Sequence, residues 1–131
     1  MNLTLLKCKI HRATVTQADL DYEGSISICP DLIKAAGLLL HERVEIYNCN
    51  NGARFATYVI KGRKGEICLN GAAARHVQKK DLVIICAYAG MSQEEAAKHV
   101  PQVVFVDEKN RIKELRVESR KNNKKRMSTQ S

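Results

Sequence analysis

Polar and apolar residues alternate over residues 6–11, with Leu6, Cys8 and Ile10 on one side and Lys7, Lys9 and His11 on the other. A period of two belongs to a strand, so this stretch reads as a half-buried strand with a cationic outer face. A second strand is expected over residues 25–29, after the acidic turn Asp19-Leu20-Asp21. Pro30 suits the first turn of a short helix with Leu32, Ile33 and Ala36 on its apolar side, and Gly37 can close it. Residues 44–47 and 54–60 flank Asn50-Asn51-Gly52, which predicts a hairpin, because Asn and Gly tolerate the positive φ of tight turns. On its second strand Arg54, Ala56 and Tyr58 share one face, and Thr57 points the other way.

After the turn at residues 62–65 comes a strand over 66–69 and then Asn70-Gly71-Ala72-Ala73-Ala74, small residues whose successive N–H groups could cradle an oxygen. Residues 82–88 form a continuous apolar run, expected of a strand buried on both faces. Ser92 and Glu95 have the spacing of a capping box for a helix that ends before Pro101, and residues 103–106 give one more short strand. Some seven short strands and two small helices, with no alternating β-α units, predict a mainly β chain folded as a small closed barrel.

The 131 residues are enough for one core, and with no Trp that core must be aliphatic. No apolar run approaches the roughly 20 residues of a membrane helix. Met1-Asn2-Leu3-Thr4 lacks a basic segment followed by an apolar one, so a cytoplasmic location is expected. Cys8, Cys29, Cys49, Cys68 and Cys86 are odd in number and widely spread, which favours reduced, buried thiols over disulfides or metal ligation. The net charge of +8 is unevenly placed: residues 1–108 carry 13 Lys+Arg against 12 Asp+Glu, and residues 109–131 carry 9 against 2. The expected division is therefore a near-neutral domain over 1–108 and a basic, disordered tail over 109–131. A solvated tail is favoured over a nucleic-acid arm.

Gly24-Ser25 is the stretch with chemical potential. A serine hydroxyl held against the preceding carbonyl can convert that peptide bond to an ester, and elimination and hydrolysis then leave a terminal ketone. The pair is also an ordinary turn dipeptide, so its neighbours decide.

Those neighbours resemble the pyruvoyl-dependent aspartate 1-decarboxylases. The resemblance is carried by Lys9-Ile10-His11-Arg12, Ala18-Asp19-Leu20-Asp21-Tyr22-Glu23-Gly24-Ser25, Asn51-Gly52-Ala53-Arg54-Phe55-Ala56-Thr57-Tyr58 and Asn70-Gly71-Ala72-Ala73-Ala74, in order across residues 1–106. It implies a six- to seven-stranded double-psi β-barrel, a homotetramer with active sites between subunits, and self-cleavage between Gly24 and Ser25 into chains of 24 and 107 residues. Ser25 would become the covalent pyruvoyl group, the one cofactor implied, whose ketone takes the amine of L-aspartate while CO₂ leaves. No metal is implied.

The same resemblance gives Thr57 a part in activating the Gly24 carbonyl and in binding substrate, Arg54 the substrate carboxylate, and Tyr58 the returning proton. Lys9 and His11 would add positive potential, which overrides the plain solvated-face reading of their strand. Asn70, Gly71, Ala72 and Ala73 would position substrate and pyruvoyl group, with Tyr22 and Glu23 flanking the cut. The cleavage chemistry calls for Gly24 in a conformation that glycine alone accepts readily. Tyr47 stands where many relatives carry Trp, which leaves its stacking role open. Also open are a need for a maturation helper and aspartate against another amino acid. A β-barrel that binds nucleic acid through its basic tail is the alternative from another class.

Overall fold

The computed structural model describes residues 1–117. It is mainly β, a small barrel-like fold of nine strands with short helices. In chain order the strands are β1 (Asn2–Thr14), β2 (Gln17–Asp19), β3 (Ser25–Ile28), β4 (Arg43–Asn48), β5 (Arg54–Lys61), β6 (Ile67–Asn70), β7 (Leu82–Ser92), β8 (Gln102–Val106) and β9 (Ile112–Val117). The helices are α1 (Pro30–Ala36) and α2 (Gln93–Lys98), and a 3₁₀ segment covers Gly71–His76. Spatial order is β2-β6-β3-β5-β4-β7-β1-β8-β9. Three neighbouring pairs, β1–β8, β2–β6 and β3–β5, run parallel, and the rest are antiparallel.

The local signals act as their chemistry requires. Pro30 opens α1, and Gly37 closes it at φ 77, donating its N–H to the Ile33 and Lys34 carbonyls. Ser92 caps α2 through both bonds of a capping box with Glu95. Gly52 turns the β4–β5 hairpin at φ 77. The core is aliphatic: Ile10, Ile26, Ile28, Leu32, Ile46, Ile67, Leu69 and Ile85 have almost no exposed surface. Each contributes about 1.5–3 kcal/mol by leaving water.

Among the described residues there are nine strands where six or seven were expected. β2 is three residues of mixed polarity, read in sequence as part of a turn, and it exists because its main chain pairs with β6. β9 lies in the stretch expected to be tail. Although most of its residues are exposed, its backbone is paired along β8 from Gln102↔Val117 to Val106↔Ile112, so ladder bonds rather than burial make it a strand. The paired body therefore extends beyond residue 108, and the basic run Arg120–Arg126 lies outside the described residues. Among the thiols, Cys8, Cys29, Cys68 and Cys86 are buried, but Cys49 is exposed in the hairpin turn; all five are free. No helix among the described residues is long and apolar enough to cross a membrane.

Candidate active site

β3 lies between β5 and β6, which decides what surrounds Ser25. Its partner is Asn70 across β6, and on β5 the parallel pairing begins one residue on, at Ile26↔Val59, just after Tyr58. Ile26 and Val59 face the core. Ser25, Ser27, Cys68 and Asn70 therefore share the opposite side, because side chains alternate along each strand. All four are buried, with Ser25 1% exposed and Asn70 2%. Ser25 Oγ donates to the Glu23 carbonyl at 2.9 Å and accepts from Asn70 Nδ2 at 3.0 Å. The same nitrogen donates to Ser27 Oγ at 3.0 Å, and the Cys68 thiol donates to Asn70 Oδ1 at 3.2 Å. Burial, followed by the nearby Glu66 and Asp19 charges, pushes the Cys68 thiol above its ordinary value, so it stays a donor. A cavity of about 500 Å³ borders Ser27, Cys68 and Asn70, with Tyr22, Lys61 and Arg63 also in its wall.

Gly24 does not have the strained conformation expected for it. It is absent from the positive-φ positions, and a Cβ built on it meets nothing within 4 Å. The constraint sits on Gly71 instead. That residue has φ 65, and a Cβ there would stand 2.7 Å from both Cα and N of Gly24 and 3.0 Å from the Tyr22 carbonyl oxygen. Gly71 is thus the bare surface on which the Gly24 backbone rests, and the small-residue stretch acts here through the absence of a side chain. Asn70 precedes the 3₁₀ segment without capping it, since its amide is engaged with Ser25 and Ser27. Ala72 is exposed and Ala73 is buried beside it.

Lys9, Arg54 and Tyr58 lie on the outer side of the sheet, but at different distances from Ser25. Tyr58 is on the neighbouring strand, tilted against His41 with ring centroids 6.2 Å apart. Arg54 is four residues back along β5, about 13 Å at a strand rise of ~3.3 Å. Lys9 on β1 is four strands from β3, about 19 Å along the sheet. Thr57 lies on the core side with Val44 and Val59, and the β4–β5 register from Arg43↔Tyr58 to Tyr47↔Arg54 has no shift that would turn it toward Tyr58. His11 is half-buried with its ring edge-on to Phe105, centroids 5.3 Å apart, at the β1–β8 pairing. One chain thus brings together Gly24, Ser25, Asn70 and Gly71, with Tyr58 on the neighbouring strand, and sets Lys9, His11 and Arg54 farther along the sheet.

Tyr47 keeps a stacking role: the Arg54 guanidinium lies 4.1 Å over its ring. The Tyr47 and Tyr88 hydroxyls are 2.8 Å apart. That bond, with burial second, raises the Tyr88 phenol pKa well above its ordinary value. Ser27, Cys68 and Tyr88 were missed in the sequence. The first two had a signal, since each is two residues from a candidate on the same strand and therefore shares its face.

Comparison with known proteins shows the family. The model of a family described as aspartate decarboxylase matches residues 1–113. The chain is similar to the aspartate 1-decarboxylase of Bdellovibrio bacteriovorus, 76% identical over 124 residues that cover 95% of this chain and all of the relative. It is 62% identical to that of Ruminiclostridium cellulolyticum, covering 86% of this chain and 89% of the relative, and 55% identical to that of Ralstonia pickettii, covering 88% and 98%. With so much of each chain covered at these identities, this protein belongs to the aspartate decarboxylase family.

Proposed function

We propose that the chain is a carboxy-lyase that converts L-aspartate to β-alanine and CO₂ for pantothenate synthesis in the cytoplasm, with a pyruvoyl group that it makes by cutting itself between Gly24 and Ser25. The observation that carries this reading is the junction itself: the Gly24 backbone is seated on Gly71, and Ser25 Oγ is held between Glu23 and Asn70. In the cut, a bond forms from Ser25 Oγ to the Gly24 carbonyl carbon while the carbon–nitrogen bond breaks, and the hydroxyl proton ends on nitrogen. A base then removes the Ser25 Cα proton as the Cβ–Oγ bond breaks, leaving a Gly24 carboxylate and a dehydroalanine end. One water is consumed there and ammonia departs, which leaves the ketone. Asn70 Nδ2 already donates to Oγ, the atom on which charge develops when the carboxylate leaves. Thr57 is the group assigned to polarise the Gly24 carbonyl.

The pyruvoyl group supplies an electron sink for loss of the α-carboxylate, as pyridoxal phosphate does elsewhere. The residues present fit it: Asn70 Nδ2 offers a donor at the Ser25 position, and the bare Gly71 lets the Gly24 backbone approach closely beside it. Arg54 would hold a substrate carboxylate in two parallel hydrogen bonds. Lys9 and His11 would raise the positive potential, and Tyr58 would return a proton to the carbon that lost CO₂. Within their own chain Arg54 stands four residues from Tyr58 along β5, and Lys9 stands four strands from β3 in the sheet order. That separation supports active sites completed between neighbouring subunits of a homotetramer.

Intact mass under denaturing conditions tests the reading. Fragments of 24 and 107 residues, with the larger one lacking an amine at its start, and CO₂ release from L-aspartate are the expected result. A chain that stays whole and releases no CO₂ overturns it. A time course on the purified chain shows whether cleavage needs a helper protein, and competing acidic amino acids in the CO₂ assay test the substrate.

A further inference from the structure

We infer that Cys68 is a positioning residue for self-cleavage, acting through Asn70 to aim an N–H at the Ser25 hydroxyl. A side-chain amide can sit in either of two orientations, and its surroundings must select one. Here the selection comes from opposite sides. The Ser25 hydroxyl proton is directed to the Glu23 carbonyl at 2.9 Å, so Oγ presents a lone pair to Asn70 and needs a donor. Ser27 Oγ lies at the same 3.0 Å distance from the same nitrogen. On the far side the Cys68 thiol donates to Oδ1 at 3.2 Å; its other neighbour, the Leu69 carbonyl, is at 3.9 Å.

Turning the amide over would bring the NH₂ group to sulfur, a weak acceptor, and the carbonyl oxygen to a serine oxygen whose proton points elsewhere. With the thiol present, the orientation that serves Ser25 also satisfies Oδ1. Without it, Oδ1 would lose its donor in a site where Asn70 is 2% exposed, and a buried acceptor lacking its donor favours rearrangement. The register makes the linkage geometric: Asn70 pairs with Ser25 and Cys68 with Ser27, so thiol, amide and both hydroxyls lie on one side of two adjacent strands. A hydroxyl at position 68 would do the same work, because the requirement is a short donor and not sulfur chemistry.

This inference rests on the self-cleavage reading, and the experiment separates the two. The full chain is made by timed cell-free synthesis, and the uncut fraction is followed by denaturing mass spectrometry for wild type, Cys68→Ser and Cys68→Ala, with thermal midpoints measured on the Ser25→Ala background to keep all samples uncut. The expected result is cleavage of Cys68→Ser within about threefold of wild type and of Cys68→Ala at least tenfold slower, with midpoints close together. Cys68→Ala cleaving at the wild-type rate, or Cys68→Ser as slow as Cys68→Ala, overturns the inference. If Cys68→Ala does not fold, Cys68→Thr and Cys68→Val, matched in shape but differing in the hydroxyl, replace it: equal rates in that pair count against the donor role. A wild-type chain that never cleaves overturns the underlying reading instead.

Discussion

Replacing Gly71 by alanine puts a methyl group where the Gly24 backbone lies. The new Cβ would be 2.7 Å from Gly24 Cα and N, whereas unstrained carbon contacts need about 3.5–4.0 Å. Both close atoms are backbone, so no side chain can rotate away, and Gly24 must move by about 1 Å. Alanine must also adopt φ 65, which costs roughly 1–2 kcal/mol. A 1 Å error in the placement of reacting groups costs about 10²-fold in rate. Gly71→Ala is therefore expected to fold with a lower melting temperature and to cleave about 100-fold more slowly, read as the half-time for loss of the full-length mass. Gly24→Ala is the contrasting control: with open space around the new Cβ and no positive φ, its melting temperature should stay near that of wild type. If folded Gly71→Ala cleaves at the wild-type rate, or if Gly24→Ala is the more destabilised of the two, the assignment of the constraint to Gly71 is wrong.

Tyr58→Phe should still cleave but lose about 10²-fold or more in kcat for CO₂ release, while normal turnover would remove the proton-donor role. Tyr88→Phe removes the partner of the Tyr47 hydroxyl beneath Arg54 and should raise KM for aspartate with kcat nearly unchanged; a pure kcat effect would count against this platform. Ser92→Ala deletes the side-chain cap of α2 and should cost about 1 kcal/mol by chemical denaturation. The Glu95 carboxylate is held below its ordinary pKa by the Ser92 backbone N–H and then its side chain. A folded pKa lowered in this way stabilises the protein above the unfolded value and is lost as pH falls through the folded one. Glu95→Gln should therefore flatten the acid limb of the stability profile, and an unchanged limb would show that the cap does not titrate with folding.

Much of the site was legible because motif residues keep local order: Gly24-Ser25, Arg54 to Tyr58, and Asn70 to Ala73 could be singled out before any contact was known. Their faces could be read as well, and the unshifted β5 register keeps Thr57 and Tyr58 on opposite sides as alternation requires. What alternation could not supply was distance between strands. The resemblance assigns Lys9 and Arg54 to one site with Ser25, yet within one chain Lys9 stands four strands from β3 and Arg54 four residues from Tyr58 along the neighbouring strand.

By itself, the sequence determined the elements whose causes are local: the β1 alternation, Pro30 and Gly37 bounding α1, Gly52 in the hairpin and the Ser92–Glu95 cap. Each is decided by dihedral preference or by bonds spanning a few residues, so a short window holds the information. Tertiary structure alone decided β2 and β9, whose ladder bonds come from β6 and β8 rather than from their own side chains. It also decided that Asn70 meets Ser25 across 45 positions, that the Cys68 thiol donates to the Asn70 amide oxygen, and that the residue required to be glycine is Gly71 more than Gly24. Those facts depend on register and close approach between distant strands, which are set when the core packs and have no counterpart in any single stretch of chain.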